Sequence, residues 1–200
     1  MPLLRLFLIL IMFNMFSSFV YADDKTPDKI VKQTVDAVFS VLRNTDLNEE
    51  EKKNRVFKLA EERINFKDMS RRVLATNWNV ASEEQKTEFI ALFKQILLNS
   101  YWVRIKHYAG EHVEYISVVY DKEDYATVDT IILKFKDDIE IPISYRMKRF
   151  VDIWYAYDFT VERLSLVQSY RNEYRAIIKN FGINGLLEQM RKEIDTYTSN

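Results

Sequence analysis

Apolar residues recur every three or four positions through the first half of the chain, a spacing that predicts helices with one buried face. Thr26-Pro27 predicts the start of the first helix, because proline is favoured at the first helical position. Asn48 to Glu51 is predicted to cap a second helix, with acidic residues in the first turn, where negative charge complements the helix dipole. A third, short segment of mixed apolar and basic residues follows over Phe66 to Leu74. A capping box at Ser82 then opens the longest helix, which runs to about Tyr108.

From His112 onward the apolar residues alternate with polar ones, and this period of two predicts β-strands. Strands are predicted over residues 112–120, 125–135, 139–147 and 151–161, with the odd-numbered residues of the last two on the buried face. Pro142 predicts an edge position or a bulge in the third strand, because proline lacks the N–H that a central strand donates. The short connections predict an antiparallel meander.

Helices resume over Leu166 to Asn180 and from Gly185 to about Tyr197, on either side of Gly182. The order of helices, four strands and helices is typical of an α+β domain. We expect a curved, antiparallel, four-stranded sheet that packs against several helices as a half-open cone, with an apolar pocket between the two layers. The join from Val161 to Val167 fits neither spacing.

Residues 1–22 have the pattern of a secretory signal peptide. Arg5 precedes a short apolar run, and small residues end the segment before a predicted cleavage after Ala22. The run is shorter than the ~20 apolar residues that a membrane-spanning helix needs, and an uncleaved anchor is the alternative. Residues 23–200 are then expected to form one domain.

Charge and cysteine content argue against a nucleic-acid-binding protein and against a fold held by disulfides. The chain has 29 Lys and Arg against 30 Asp and Glu, a balance that gives no electrostatic support for nucleic-acid binding. It has no cysteine, so packing instead of disulfides must hold an exported domain together. Export without disulfides favours the bacterial periplasm.

Catalytic motifs in the sequence are weak. His107 and His112 are the only histidines and have no third ligand at a metal-binding spacing. Ser165 lacks the flanking glycines of a nucleophile elbow and is better interpreted as a helix cap. Asp158 is the remaining candidate, either as a general base in a pocket or, more simply, as a salt-bridged structural residue.

Aromatic residues are abundant, with 13 Phe, 12 Tyr and 3 Trp. Aromatic side chains usually fill a core. A helix as broadly apolar as the one from Phe89 to Ile105, facing a half-apolar sheet, is also compatible with an enclosed cavity. Both interpretations fit the spacing of the residues.

Short segments along the chain match those of a known family in the same order. In the first half the matching residues are Leu74 to Trp78, Ala81, Ser82, Gln85, Phe89, Phe93, Leu97, Tyr101 and Tyr108. In the second half they are Ile141, Pro142, Ile143, Tyr145, Arg146, Trp154, Tyr157, Asp158, Val161, Glu162, Ser165 to Val167, Tyr170, Arg171, Tyr174, Gly182, Ile183 and Leu186. The ordered set resembles the MlaC family, also called the toluene-tolerance family of periplasmic phospholipid carriers. That family has glycine at the positions of Ala75 and Arg163, where glycine would permit a positive φ.

The resemblance implies a fold related to the cone of nuclear-transport-factor-like proteins, with added helices and an acyl-chain pocket. It implies no enzymatic activity and no cofactor, with phospholipid as the ligand. It also implies a shuttle across the periplasm between an outer-membrane lipoprotein–porin complex and an inner-membrane ABC transporter with a lipid-binding periplasmic subunit. Such a shuttle maintains the lipid asymmetry of the outer membrane. We expect a monomer.

Lipid contacts are expected along the longest helix, the third and fourth strands and the join that follows. The predicted lipid-binding residues are Phe89, Phe93, Ile96, Leu97, Tyr101, Ile141, Ile143, Tyr145, Trp154, Tyr157, Leu164, Leu166 and Tyr170. Leu164 is predicted to face the lipid, so Leu164→Glu would place a carboxylate among acyl chains. Two alternatives stay open: a small-ligand binder or enzyme that uses Asp158 in the pocket, and a structural adaptor with a filled core.

Overall fold

The computed structural model describes residues 26–108, 111–134 and 139–198. The helices of the first half are α1 (Pro27–Arg43), α2 (Glu49–Arg63), α3 (Phe66–Leu74) and α4 (Glu83–Ile105), with a 3-10 turn (Ala75–Asn79) between the last two. The strands are β1 (His112–Lys122), β2 (Tyr125–Lys134), β3 (Ile139–Phe150), β4 (Ile153–Val161) and β5 (Leu164–Ser165), and α5 (Leu166–Thr198) follows. The predicted signal peptide, residues 1–22, lies outside the described residues.

The helices begin where the sequence predicts. Ahead of α2, the side chain of Asn48 accepts a hydrogen bond from the Glu51 N–H at 2.9 Å, and the Glu51 carboxylate accepts one from the Asn48 N–H at 2.9 Å. Ser82 and Gln85 form the same reciprocal pair ahead of α4, so both predicted caps are confirmed. Thr26 occupies the cap position of α1 but makes no capping hydrogen bond with its side chain.

The sheet is an open antiparallel meander in the order β1-β2-β3-β4-β5. It has five strands and not the predicted four, because a two-residue turn at Glu162 and Arg163 folds the chain back so that Leu164 pairs with Val161. A strand of two residues is too short to show an alternating pattern. Its effect is to carry the chain from the end of β4 directly into α5.

β4 contains a bulge that changes which residues face the helices. Arg146 of β3 pairs with Asp158, but the next residue, Met147, pairs with Ala156, so Tyr157 is an extra residue. Such an insertion shifts the side-chain alternation by one. Ala156 and Phe159 therefore both belong to the inner, helix-facing side of the sheet. The predicted odd-numbered face is wrong for the first half of β4, where Trp154 is buried and Ile153 is 40% exposed.

Helix α5 changes direction at Gly182, which has φ 70° and ψ −179°. This backbone conformation is almost restricted to glycine. The break confirms the predicted separation into two helical segments. It allows the second segment, including Leu186 and Met190, to pack into the core formed with α3 and α4.

Within the described residues, none of the helices combines the length and the apolar character that crossing a bilayer requires.

The two positions at which the resembled family has glycine both have a positive φ here. Ala75 has φ 51° and ψ −121°, and Arg163 has φ 69°. The chain thus retains a glycine-like backbone with a side chain present. Residues held in such regions cost roughly 1 to 3 kcal/mol each, so both turns are strained.

Ala75→Gly is expected to raise the free energy of unfolding by about 1 kcal/mol, since the relieved strain exceeds the smaller cost of about 0.4–1 kcal/mol that glycine adds through the unfolded chain. The Ala75 side chain is exposed, so no packing is lost. Urea denaturation at neutral pH measures the change. The matched control is Ala91→Gly, exposed in the middle of α4, which should lose about 1 kcal/mol. A loss of stability in both variants would contradict strain at Ala75.

Candidate functional site

A cavity of about 260 Å³ lies between α1, α2 and α4 and the inner side of the sheet. The helices, with the residues just beyond α2 and α4, contribute aliphatic and aromatic side chains: Ile30, Val31, Val35, Val38, Phe39, Leu42, Val56, Phe57, Ala60, Ile64, Leu97, Leu98, Tyr101, Trp102, Ile105 and Tyr108. The sheet and the start of α5 contribute Ile132, Ile143, Tyr145, Met147, Ala156, Phe159, Val161 and Leu166. The remaining two lining residues are Thr34 and Arg63.

Polar groups in the wall are few. The Thr34 hydroxyl donates a 2.7 Å hydrogen bond to the Ile30 carbonyl of its own helix, so it presents no free donor to the cavity. Arg63 is the one charged residue among the described lining residues. A surface of this composition favours alkyl groups over polar solutes, because water bound there gains few hydrogen bonds.

The aromatic rings of the wall are held by contacts with one another. Phe57 and Trp102 meet edge to face with centroids 6.4 Å apart, and Tyr145 and Phe159 do so at 5.7 Å. Burial raises the pKa of Tyr145 to about 12 and raises the pKa of Tyr101 above its ordinary value. Both shifts indicate a site of low polarity, in which a charged phenolate is disfavoured.

Five of the predicted lipid-binding residues line this cavity. They are Leu97, Tyr101, Ile143, Tyr145 and Leu166. The odd-numbered face of β3 points inward as predicted, because Ile143 pairs with Val161 and Tyr145 pairs with Phe159 across regular antiparallel strands. Residues two apart on one strand and their partners on the next share one side of a sheet.

The N-terminal half of α4 does not reach the cavity. Phe89, Phe93 and Ile96 are fully buried, and Phe93 meets the rings of Tyr170 and Tyr174 edge to face at 5.1 and 6.3 Å. The broad apolar face predicted for this helix therefore serves two purposes. Its first half closes a solid core with α3 and α5, and its second half opens onto the cavity.

The other predicted residues also lie outside the lining. Trp154 is buried behind the wall in a cluster with Ile30 and Val31. The bulge turns Tyr157 to the outer side, where the Arg72 guanidinium lies 3.9 Å from its ring centroid. Ile141 is half-buried. Leu164, in the two-residue strand, is 67% exposed. A lipid contact at these positions stays a prediction.

The residues that sequence reasoning missed come mainly from α1 and α2. The sequence shows an apolar stripe on α1 from Ile30 to Leu42 and a weaker one on α2 that includes Val56 and Ala60, and both line the cavity. Periodicity shows that a helix buries one face, but it does not show whether that face meets protein or an open cavity. Ala156 was missed because the bulge has no marker in the sequence. Phe159 lies on the predicted odd-numbered face but was not among the predicted lipid contacts.

Asp158 has a structural environment. One oxygen, Oδ2, accepts a 2.7 Å hydrogen bond from the Ser165 hydroxyl, and Oδ1 accepts a 3.0 Å hydrogen bond from the Val167 N–H. Arg146 Nη1 lies 3.7 Å from Oδ2. The Ser165 hydroxyl in turn accepts from the Gln168 N–H at 3.1 Å, which confirms Ser165 as a helix cap. Both carboxylate oxygens are thus engaged at the start of α5, outside the cavity lining.

Metal binding has little support in the described ranges. No group of three or more His, Asp or Glu side chains there is arranged to hold an ion. His107 and His112 do not belong to the cavity lining. The chemistry that the site offers is therefore the burial of apolar surface with one positive charge nearby.

The chain is similar to a known protein family and to a solved structure. The model of the family described as MlaC protein matches residues 32–192. A solved structure of a phospholipid-binding protein from Ralstonia solanacearum, in complex with a phospholipid, matches with a TM-score of 0.76 and 21% sequence identity. The match covers 86% of this chain and 98% of that chain, and at this identity it shows a shared fold. No curated protein sequence matches the chain.

Asp158→Ala is expected to lower the free energy of unfolding by about 3 kcal/mol, because two buried charge-assisted hydrogen bonds are lost and the Val167 N–H at the start of α5 is left without an acceptor. Asp158→Asn is the matched control and should lose about half as much, since one amide oxygen can still accept from Val167 N. Urea denaturation followed by far-UV circular dichroism measures both. Equal stability of Asp158→Ala and wild type would contradict the capping role.

Ionisation of the Tyr145 phenol is expected to lower the free energy of unfolding at high pH. Its pKa is about 12 in the folded chain against an ordinary value of 10, so its stabilising contribution is complete below pH 10 and is lost as the pH rises toward 12. The loss is on the order of 2 kcal/mol. Tyr145→Phe should reduce the difference between thermal unfolding at about pH 8 and about pH 11, while measurements at neutral pH correct for changed packing. Identical pH dependence of variant and wild type would show that the phenol is not desolvated.

Proposed function

The chain belongs to the MlaC family, and on that premise we propose that it is a periplasmic phospholipid carrier whose acyl chains occupy the cavity described above. The observation that carries the proposal is the almost entirely apolar lining, from Ile30 on α1 to Phe159 on β4. Support also comes from the solved Ralstonia solanacearum protein of the same fold, whose structure is a complex with a phospholipid. Leu97, Tyr101, Ile143, Tyr145 and Leu166 are the proposed lipid contacts that the sequence already indicated.

The energetics of transfer explain why such a carrier needs a cavity. Each acyl methylene exposed to water costs about 0.8 kcal/mol, so two ordinary chains cost on the order of 20 kcal/mol in transit. A wall as apolar as the bilayer interior offsets most of this cost. The lipid then has a similar free energy in the cavity and in either membrane, so it can both enter and leave the carrier. The carrier then requires no chemical step, and its direction of transport is set by its partners.

We infer the location and partners from the family and from the N-terminal pattern. The signal-like segment ending at Ala22 supports export to the periplasm, with residues 23–200 as a single lipid-binding domain. The proposed partners are an outer-membrane lipoprotein–porin complex and an inner-membrane ABC transporter with a lipid-binding periplasmic subunit. The proposed role is maintenance of outer-membrane lipid asymmetry by a monomeric carrier.

We also propose that the protein is not an enzyme. Asp158 was the residue on which a catalytic alternative depended, and both its carboxylate oxygens accept hydrogen bonds at the start of α5. Asp158 lies outside the cavity lining, and the described residues of the wall include no carboxylate. Binding without reaction is the function that this arrangement supports.

Organic extraction of the purified protein followed by mass spectrometry tests the function directly. Phospholipid in the extract supports a carrier, a polar metabolite supports a small-ligand binder or enzyme, and an empty extract supports a structural adaptor. The protein is to be expressed with its own N-terminal segment, so that it is exposed to cellular membranes on its natural route.

Two matched substitutions locate the lipid. Ile143→Glu places a carboxylate on the inner side of β3, within the cavity wall, and is expected to reduce copurified phospholipid by at least about tenfold. Leu164→Glu makes a similar change on an exposed side chain outside the wall and is expected to leave the lipid stoichiometry at the wild-type value. Quantitative mass spectrometry of the extracts measures both.

The opposite result for these two variants would place the lipid-binding site elsewhere in the protein. If Leu164→Glu lost its phospholipid and Ile143→Glu retained it, the lipid would lie against the β4–α5 join, as the sequence suggested. Ala60→Trp, which fills the cavity from α2 without adding charge, distinguishes loss of binding from misfolding of Ile143→Glu. It should also reduce bound phospholipid while keeping a cooperative unfolding transition.

A further inference from the structure

Arg63 is the one charged side chain among the described residues that line the cavity. It is the last residue of α2 and is half-buried. No hydrogen bond, ion pair or ring contact joins its side chain to any described residue. A cation beside an apolar wall that has no partner in the protein keeps its N–H donors available to an anionic ligand.

Several other half-buried cations of the described chain have a partner, which is a carboxylate, a carbonyl or an aromatic ring. Arg72 lies 2.9 Å from Asp68, and Lys106 lies 2.8 Å from Glu49. Two acids directly precede Arg63 on α2: Glu61 is paired with Lys94 at 2.9 Å, and Glu62 makes no ion pair with Arg63. Arg63 therefore differs from these cations in a way that the surrounding charges do not account for.

The backbone next to Arg63 is fixed against the sheet. Ile64 forms a parallel bridge with Ala156 of β4, and the Asn65 N–H donates a 2.9 Å hydrogen bond to the Ala156 carbonyl. The Ile64 N–H donates to the Ala60 carbonyl at 2.8 Å and closes the helix end. These contacts hold the base of the Arg63 side chain at the wall, while its long stem can follow the apolar surface and keep the guanidinium toward solvent.

We propose that Arg63 binds the phosphate group of a phospholipid whose acyl chains occupy the cavity. A guanidinium presents parallel N–H donors that match two phosphate oxygens, and its weak hydration makes it suited to a partly desolvated ion pair. The inference rests on the proposed carrier function and adds to it a determinant of ligand class. A diacyl lipid with a phosphate is bound more tightly than the same lipid without one.

The test compares short-chain soluble lipids with identical acyl chains. Dihexanoyl phosphatidylglycerol and dihexanoyl phosphatidylethanolamine carry the phosphate, and dihexanoylglycerol lacks it. Binding is followed by tryptophan fluorescence, since Trp102 is part of the cavity wall. The variants are Arg63→Met, which keeps an unbranched apolar stem, and Arg63→Lys, which keeps a positive charge. Arg55→Met is the matched control, because Arg55 is exposed on the same helix and outside the cavity lining.

Arg63→Met is expected to weaken binding of both phospholipids by about tenfold to a hundredfold, the range for a lost charge-assisted hydrogen bond. Binding of dihexanoylglycerol should change by less than about twofold, and Arg63→Lys should lie between Arg63→Met and wild type. Arg55→Met should bind all three lipids as wild type does.

Three results would overturn the inference. If Arg63→Met bound phospholipid as tightly as wild type does, Arg63 would not contact the phosphate. An equal loss of all three lipids shows that Arg63 only shapes the cavity. Inorganic phosphate that binds wild type but not Arg63→Met, with phospholipid binding unchanged, assigns Arg63 to free phosphate. Failure of the carrier function itself is distinct, because wild type would then bind none of the three lipids.

Discussion

The extra residue in β4 determines how the two layers of the domain meet. On its N-terminal side, Ala156 pairs with Met147 on the inner face of the sheet, and beyond it Phe159 pairs with Tyr145 on the same face. Tyr157 and Asp158, between them, are turned to the other side. Without the insertion, strict alternation would place Phe159 and Val161 opposite to Ala156, and the sheet could not present one continuous apolar wall. The residues turned outward also connect the sheet to α3 and α5, through the Arg72–Tyr157 contact and the Asp158–Val167 hydrogen bond.

A second feature follows from the division of α4. Stability and ligand binding make opposite demands, because a filled core contributes most when no space is left and a binding site requires space. Here the N-terminal half of α4 packs Phe89 and Phe93 against Tyr174 in a solid core with α3 and α5. Its C-terminal half, with Tyr101 and Trp102, borders the cavity. Separation along one helix allows the cavity to exist without weakening the core that holds the domain together.

Two tight turns of the sheet require a positive φ, and this chain adopts it there with residues other than glycine. Val151 and Asp152 connect β3 to β4 with φ 46° and 64°, and Glu162 and Arg163 connect β4 to β5 with φ 49° and 69°. Both are two-residue hairpin turns, for which positive φ at both positions matches the twist of the strands. The sheet register on either side overrides the local preference of these residues. The strain is tolerated because the paired strands and the capped α5 leave the turn no alternative path.

Much of the fold was determined locally and could be predicted from sequence. Capping boxes at Asn48 and Ser82, the alternation along β3 and the break at Gly182 depend on neighbours within a few residues, and the family resemblance agreed with the α+β order. The inner positions Ile143 and Tyr145 followed from alternation alone. Tertiary structure alone decided four features of the site. They are the wall formed by α1 and α2, the outward turn of Tyr157, the exposed position of Leu164 and the unpaired charge of Arg63. Periodicity reports that a side chain is buried, but whether it meets another side chain, a cavity or no partner depends on residues far apart in sequence.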